Sequence, residues 1–299
     1  MLALEGHAGQ VTAVAFSPCG RWLASAGWDG AIRLWERPQY QVRRVIRTPY
    51  DHAVTAAFSA DSTHLAAGFR NRDGWPHPVN VGNLAWLPVA PRPATNPEAM
   101  PYLDTWFALD GARRTAVRRV APHPLVRDHV AVAGDDHIVR VWDAANRVVA
   151  KSYAPRLCWS VTNVRYSATG LLAWLSGPDS RSGQVFLWDG VKRPAESVPL
   201  DEENVGSMVF SPDGAKLYLG LTSGKLAEWT PGSSRRPRLA SLADVPATDI
   251  AAAPDGRSLL IAGEDGIVRL WDVEAWRVRD SFNWRIGTIA AVAVAPDGL

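Results

Sequence analysis

The sequence predicts an all-β fold of four-stranded antiparallel sheets stacked radially about an axis, and three observations predict it. A 42-residue unit recurs: Pro-Asp-Gly stands at 212–214, 254–256 and 296–298, and Trp229 and Trp271 share that spacing. The β-rich runs are apolar at odd and even positions alike, as in Val11, Ala13, Val14, Ala15 and Phe16, so both faces of each sheet must be buried. Finally, 14 Trp, 24 Gly and 22 Pro spread along the whole chain, with no helical period, indicate short strands joined by many tight turns. Small sheets covered on both sides by a neighbour are what radial stacking provides.

The elements follow in order. In the first unit Val11–Ser17 is a strand, Pro18-Cys19-Gly20-Arg21 a turn, Trp22–Ala26 a second strand, and Trp28-Asp29-Gly30 a second turn. Ala31–Trp35 and Val42–Arg47 complete it. Trp35, Trp142, Trp188, Trp229 and Trp271 mark third strands at intervals of 107, 46, 41 and 42. The first interval holds two repeats and 23 further residues, so a unit between Ala53 and Asp110 has lost its tryptophan and gained an insertion.

That insertion, about residues 70–105 of the second unit, carries Pro76, Pro78, Pro88, Pro91, Pro93, Pro97 and Pro101. Proline fixes φ and removes a donor, so most of the stretch is expected to be strandless. Val79–Leu87 and Asp104–Leu109 are expected to supply the third and fourth strands of that unit. The next third-strand tryptophan falls due at position 313, beyond Leu299. Six units are therefore complete, and residues 286–299, with Thr288–Ala295 as a strand, begin an incomplete seventh. The expectation is one domain over 1–299, a shortened form of a seven-unit chain. Inward pairing of Met1–Leu4, or strands from another chain, are the alternatives.

Composition narrows the function classes. Lys plus Arg total 32 against 30 Asp plus Glu, so nothing calls for wholesale binding to nucleic acid or an acidic membrane. Cys19 and Cys158 are too few for a disulfide framework. The start lacks a secretory signal, and no apolar run reaches the roughly 18 to 20 residues of a membrane-spanning helix. A cytoplasmic location is expected.

Gly6-His7, Ser17-Pro18-Cys19-Gly20, Leu23-Ala24-Ser25, Asp29-Gly30 and Ile32-Arg33-Leu34-Trp35-Glu36 follow one another in an order and spacing that resembles the WD-repeat β-propeller family. Trp142-Asp143, Trp188-Asp189 and Trp271-Asp272 carry its dipeptide, whereas Trp35-Glu36 and Trp229-Thr230 keep only the tryptophan. The resemblance implies a propeller of four-stranded antiparallel blades. It also implies a structural relay of His7, Ser25, Asp29 and Trp35, complete in the first blade alone. Asp136 and Asp265 each lie six before a tryptophan, but the Ser position holds Val132 and Ile261, and Ser223 stands in the Asp place of the fifth blade.

Motifs for chemistry do not survive inspection. Gly220-Leu-Thr-Ser-Gly224-Lys225 has one residue too few between its glycines for a phosphate loop, and no helix follows. His123, His129 and His137 fall on opposite faces of a blade and are not expected to form a metal site. Asp135-Asp136 and Glu264-Asp265 occupy turns, where turn chemistry accounts for them. No catalytic residue and no cofactor are expected. The resemblance implies a non-catalytic scaffold presenting loops to a protein or peptide. The alternatives are a regulatory module of a larger signalling protein and a propeller enzyme. In the family the loops before the first strand and between the second and third form the usual recognition face. Here they contain Trp28, Arg70, Arg72, Trp75, Arg156, Trp159, Arg181, Trp284 and Arg285. Arg and Trp combine large buried area with directed donors, and the arginines favour an acidic or phosphorylated partner.

Overall fold

The computed structural model describes residues 3–47, 52–70, 84–90, 106–107, 117–154, 160–177, 183–190, 195–200 and 203–298. These form 24 strands in six antiparallel sheets of four, each sheet ordered as in the chain. They fall into two compact units, Met1–Ala154 and Pro155–Leu299.

In the first unit, blade 1 comprises β1 (Val11–Phe16), β2 (Trp22–Gly27), β3 (Ala31–Glu36) and β4 (Gln41–Arg47), each within one residue of the expected bounds. Blade 2 comprises β5 (His52–Phe58), β6 (His64–Arg70), β7 (Leu84–Pro88) and β8 (Trp106–Phe107). Blade 3 comprises β9 (Val117–Pro122), β10 (His129–Gly134), β11 (Val139–Asp143) and β12 (Val148–Tyr153). In the second unit, blade 4 comprises β13 (Ser160–Tyr166), β14 (Leu172–Gly177), β15 (Gln184–Trp188) and β16 (Ala195–Ser197). Blade 5 comprises β17 (Val205–Phe210), β18 (Leu217–Leu221), β19 (Lys225–Trp229) and β20 (Arg238–Ser241). Blade 6 comprises β21 (Ala247–Ala252), β22 (Ser258–Gly263), β23 (Ile267–Asp272) and β24 (Arg277–Asn283).

The Pro-x-Gly turns join first to second strands by one repeated bond. Gly20 donates its N–H to the Ser17 carbonyl at 2.8 Å, with φ at 72°, and Gly214, Gly256 and Gly298 repeat the arrangement. A residue without Cβ enters that left-handed region without strain.

The cores explain the two-faced apolar strands, because each is shared between neighbouring sheets. Ala24, Ala26, Ile32 and Leu34 of blade 1 pack with Phe58, Leu65, Ala67 and Phe69 of blade 2. The third-strand tryptophans face the preceding blade: Trp142 packs with Ala66 and Leu84, Trp229 with Leu175 and Val185, and Trp271 with Tyr218 and Leu226. Blade 2 shows what replaced its tryptophan. Leu65 pairs with Leu87, as Leu23 pairs with Trp35 and Leu259 with Trp271. Leu87 therefore fills the tryptophan place. Trp86, one residue earlier, faces blade 3 and stacks on His64 at 5.1 Å. Of the expected strand Val79–Leu87, residues 84–87 belong to β7, and 79–83 lie outside the described residues. Trp106–Phe107 is the described part of the expected strand Asp104–Leu109.

Blades meet at close quarters. A Cβ on Gly68 would lie 2.3 Å from Cγ1 of Val117 in blade 3. Across the next seam in kind, Thr12 and Thr248 reach forward by 41 residues, to the carbonyls of Ala53 and Ile289 respectively, both at 2.6 Å.

That second contact bears on the seventh blade expected at 286–299. Ile289 stands to Thr248 as Ala53 stands to Thr12, Val292 donates its N–H to Oδ2 of Asp249 at 3.1 Å, and Ala295 is fully buried. The segment thus lies beside β21, but residues 284–298 form no strand. It is held by side-chain anchors, and among the described residues no neighbouring strand offers it a ladder, which is what defines a strand. The described structure is six blades, without the strand expected at Thr288–Ala295.

Candidate protein-interaction surface

The turn between β2 and β3 is fixed from beneath by a chain of hydrogen bonds. Trp35 Nε1–H donates to Ser25 Oγ at 3.0 Å, Ser25 Oγ and His7 Nε2 are hydrogen-bonded at 2.8 Å, and His7 Nδ1 lies 2.8 Å from both Asp29 Oδ1 and Nη1 of Arg33. The indole only donates and the carboxylate only accepts, which fixes the two ends of the chain. Asp29 also receives the Ala8 N–H and the Arg33 guanidinium, at 3.1 and 2.9 Å. Burial pushes its carboxyl upward, but the bonds from His7, Ala8 and Arg33 outweigh that and hold it down at about 2.

Above this base the turn presents Trp28, 52% exposed. Its N–H is tied to the Gln10 carbonyl at 2.9 Å, and its own carbonyl accepts Nδ1–H of His52 at 3.1 Å. The indole lies against the His52 ring at 5.3 Å, tilted by 54°. His52, the first residue of β5, pairs in register with Arg70, the last of β6. Arg70 is exposed and, among the described residues, has no ion pair. The fold therefore places the Trp28 indole against His52, and His52 in register with an exposed arginine that has no ion pair among the described residues.

In the second unit, Trp284 is 41% exposed and stacks on Phe282 at 6.1 Å with the ring planes 12° apart. Arg285 follows at φ 56°, its N–H bonded to Oδ1 of Asn283, and Ile286 is 70% exposed. Arg72, Trp75, Arg156, Trp159 and Arg181 lie outside the described residues.

The family model for the WD domain, G-beta repeat, matches residues 1–36 and 241–272, which span β1 to β3 of blade 1 and β21 to β23 of blade 6. Those are two of six sheets with one strand order. The chain is a WD-repeat β-propeller protein. It is similar to a Protein LST8 homolog of Drosophila pseudoobscura pseudoobscura, 30% identical over 161 residues, 48% of this chain and 49% of that one. It is also similar to a Ribosome biogenesis protein WDR12 homolog of Chlamydomonas reinhardtii, 30% identical over 201 residues, 62% of this chain and 43% of that one. A third relative is the Target of rapamycin complex subunit wat1 of Schizosaccharomyces pombe, 38% identical over 52 residues, 17% of this chain and 15% of the relative. The chain thus spans about half the length of the LST8 homologue and less of the other two.

The WD-repeat relay is replaced in two further blades. Arg140 pairs with Asp136 and Arg269 with Asp265, each four residues on, in the geometry of Arg33 with Asp29. The Arg269 bonds, against burial, hold the Asp265 carboxyl below its usual range. Opposite Arg140 and Arg269 the Ser25 position is filled by Val132 and Ile261. The Trp271 indole N–H accordingly has no partner among the described residues. The recurring Asp-x-x-x-Arg was a readable signal of this device. His52, Phe282 and Ile286 also belong to the exposed surfaces of the propeller and were not anticipated. Alternation of apolar residues at 282, 284 and 286 signals the latter pair, whereas the place of His52 follows only from the seam between blades. Among the described residues no three metal-ligating side chains converge.

Proposed function

We propose that this WD-repeat protein is a non-catalytic scaffold that holds an acidic or phosphorylated segment of a protein partner against its blade loops. In the first unit the docking residues are Trp28, His52 and Arg70, with Arg72 and Trp75 next along the chain. Trp284 and Arg285 are the corresponding residues of the second unit, and Arg156, Trp159 and Arg181 belong to loops of the same kind. One observation carries the reading. Trp28 is half exposed against His52, whose partner in the β5–β6 register is an exposed arginine that no described carboxylate neutralises. An aromatic platform with an unpaired guanidinium gains both apolar burial and a charge-assisted hydrogen bond when an anionic side chain lands on it. A relative named as a complex subunit supports protein partners, and the near-neutral net charge favours them over nucleic acid or membrane in a cytoplasmic setting.

The test is capture by the intact chain of proteins and of acidic and phosphoserine peptides. Trp28→Ala, the pair Arg70→Glu with Arg72→Glu, and Arg181→Glu are compared with Arg257→Glu, which alters the turn between β21 and β22. Loss in the first set with retention in Arg257→Glu is expected. Wild-type capture by the whole first set, with loss in Arg257→Glu, overturns the choice of face.

A further inference from the structure

The turn between β9 and β10 departs from the Pro-x-Gly pattern of blades 1, 5 and 6 and is organised by a histidine. His123 Nδ1 lies 3.1 Å from the N–H of Leu125 and 3.0 Å from that of Val126. The His123 N–H donates to the His129 carbonyl at 2.8 Å, closing the base of the turn. Two backbone donors converging on one ring nitrogen require its lone pair, so the ring is neutral with its proton on Nε2. At the tip stand Leu125 and Val126, 70% and 42% exposed. The His129 N–H reaches the Val126 carbonyl at 3.4 Å, but the amides of the tip share the single His123 acceptor, so their bonds depend on it.

We propose that His123 is a proton-sensitive latch: the turn 123–128 is closed while Nδ1 accepts the Leu125 and Val126 amides, and opens when Nδ1 takes up a proton. Protonation replaces a lone pair by an N–H aimed at two other N–H groups, so both bonds are lost in one step. The surroundings favour the neutral ring. Burial is the largest influence holding His123 below the ordinary histidine range, followed by the neighbouring His129 and by Lys151 of β12. The His129 ring meets it edge-on at 6.4 Å, and Asp143 of β11 faces His129, 3.9 Å from its Nε2. Within the turn Arg127 lies between Asp128 and, from blade 2, Asp61, while Asp61 and Asp128 also act on His64. The carboxylates nearby are thus directed at Arg127, His64 and His129.

The sign is fixed by that depression. The closed turn is fully favoured above about pH 6.5, the ordinary histidine value, and loses ground as pH falls through the lower value in the folded chain. This latch is independent of the docking surface proposed above, and presents or disperses a two-residue apolar tip according to acidity.

Amide exchange of the full chain tests it, read residue by residue after correction for intrinsic rates. Between about pH 6.5, the ordinary histidine value, and the lower His123 transition, the protection of Leu125 and Val126 should fall about tenfold per pH unit and then level off, while that of Val132 in β10 stays unchanged. His123→Asn places an acceptor that does not titrate at the same distance along the side chain, and should keep protection flat across the range. His129→Gln should leave the wild-type response in place. The nitrogen shifts of the His123 ring, read in the unaltered protein, should show Nδ1 unprotonated at neutral pH. Constant protection of Leu125 and Val126 while the His123 ring titrates overturns the latch. So does equal acid loss in His123→Asn, loss of the response in His129→Gln, or a protonated Nδ1 at neutral pH.

Discussion

Thr12 shares its hydroxyl proton between the carbonyl of Ala26 in its own blade, at 3.1 Å, and that of Ala53 in the next, at 2.6 Å. Thr248 does the same with Ala262 and Ile289, at 3.2 and 2.6 Å. Thr12→Val keeps the shape and removes both bonds, leaving two carbonyls short of a donor. A loss of about 1 kcal/mol is expected in urea denaturation. Thr248→Val should cost a similar amount and, in addition, speed amide exchange at Val292, because it releases one of the anchors of residues 288–298.

Gly68 is a packing requirement. A methyl group there would meet Val117 Cγ1 at 2.3 Å and Thr55 Cγ2 at 2.7 Å, so Gly68→Ala should destabilise by about 1 to 3 kcal/mol through overpacking. Trimming the obstacle tests the cause: Gly68→Ala combined with Val117→Ala should lose less than the two single changes added together. Strict additivity of the melting data would assign the effect to the backbone instead.

The relay carboxylate makes stability depend on acid. Asp29 sits at about 2 when folded, below the ordinary value near 3.9. Its contribution is therefore full above about pH 4 and disappears as pH falls through 2. Asp29→Asn should cost about 2 kcal/mol at pH 6 and less than half of that at pH 2. Equal losses at both values would show that its charge is not what stabilises the turn. His7→Ala should cost about 1 to 3 kcal/mol by leaving Ser25 and Asp29 without their shared partner.

The arginine that blade 3 keeps in the Arg33 position, without the relay histidine, should behave as half of a buried pair. Arg140 is 7% exposed and bonded to Asp136. Arg140→Met leaves that carboxylate without its cation and should destabilise by about 2 kcal/mol or more, whereas Arg140→Met with Asp136→Asn should recover most of the loss. Chemical denaturation of the three variants against wild type decides it.

Much of the blade register was legible because it is written in residues with one physical use. Gly20, Gly214 and Gly256 mark the turns through a φ that other residues resist, and the spacing of Trp35, Trp142, Trp229 and Trp271 marks the third strands. The relay in blade 1 followed from resemblance, and its four side chains are within hydrogen-bond reach of one another. What escaped the sequence depends on contacts between repeats. Leu87 takes a tryptophan's place beside a Trp86 that points the other way, and only the pairing with Leu65 tells them apart. His52 joins Trp28 because β5 begins under the turn of the preceding blade, a relation no spacing within one repeat contains. The strand expected at Thr288–Ala295 failed for the converse reason, since the pattern of a strand does not supply its neighbour.

The seams have an evolutionary consequence. Every ladder bond in a blade joins segments adjacent in the chain, and between blades the described links are apolar packing, single side-chain bonds such as that from Thr12 to Ala53, and one isolated backbone bridge, Gly183 with Val205. Copying or exchanging a whole repeat therefore cuts no ladder and asks the newcomer only for a compatible flank and an available carbonyl. Genetic duplication can lengthen such an array, and the separate blades can then drift apart in residue choice. Here Ser25 in one blade answers to Val132 and Ile261 in two others, at the same register position opposite Arg33, Arg140 and Arg269.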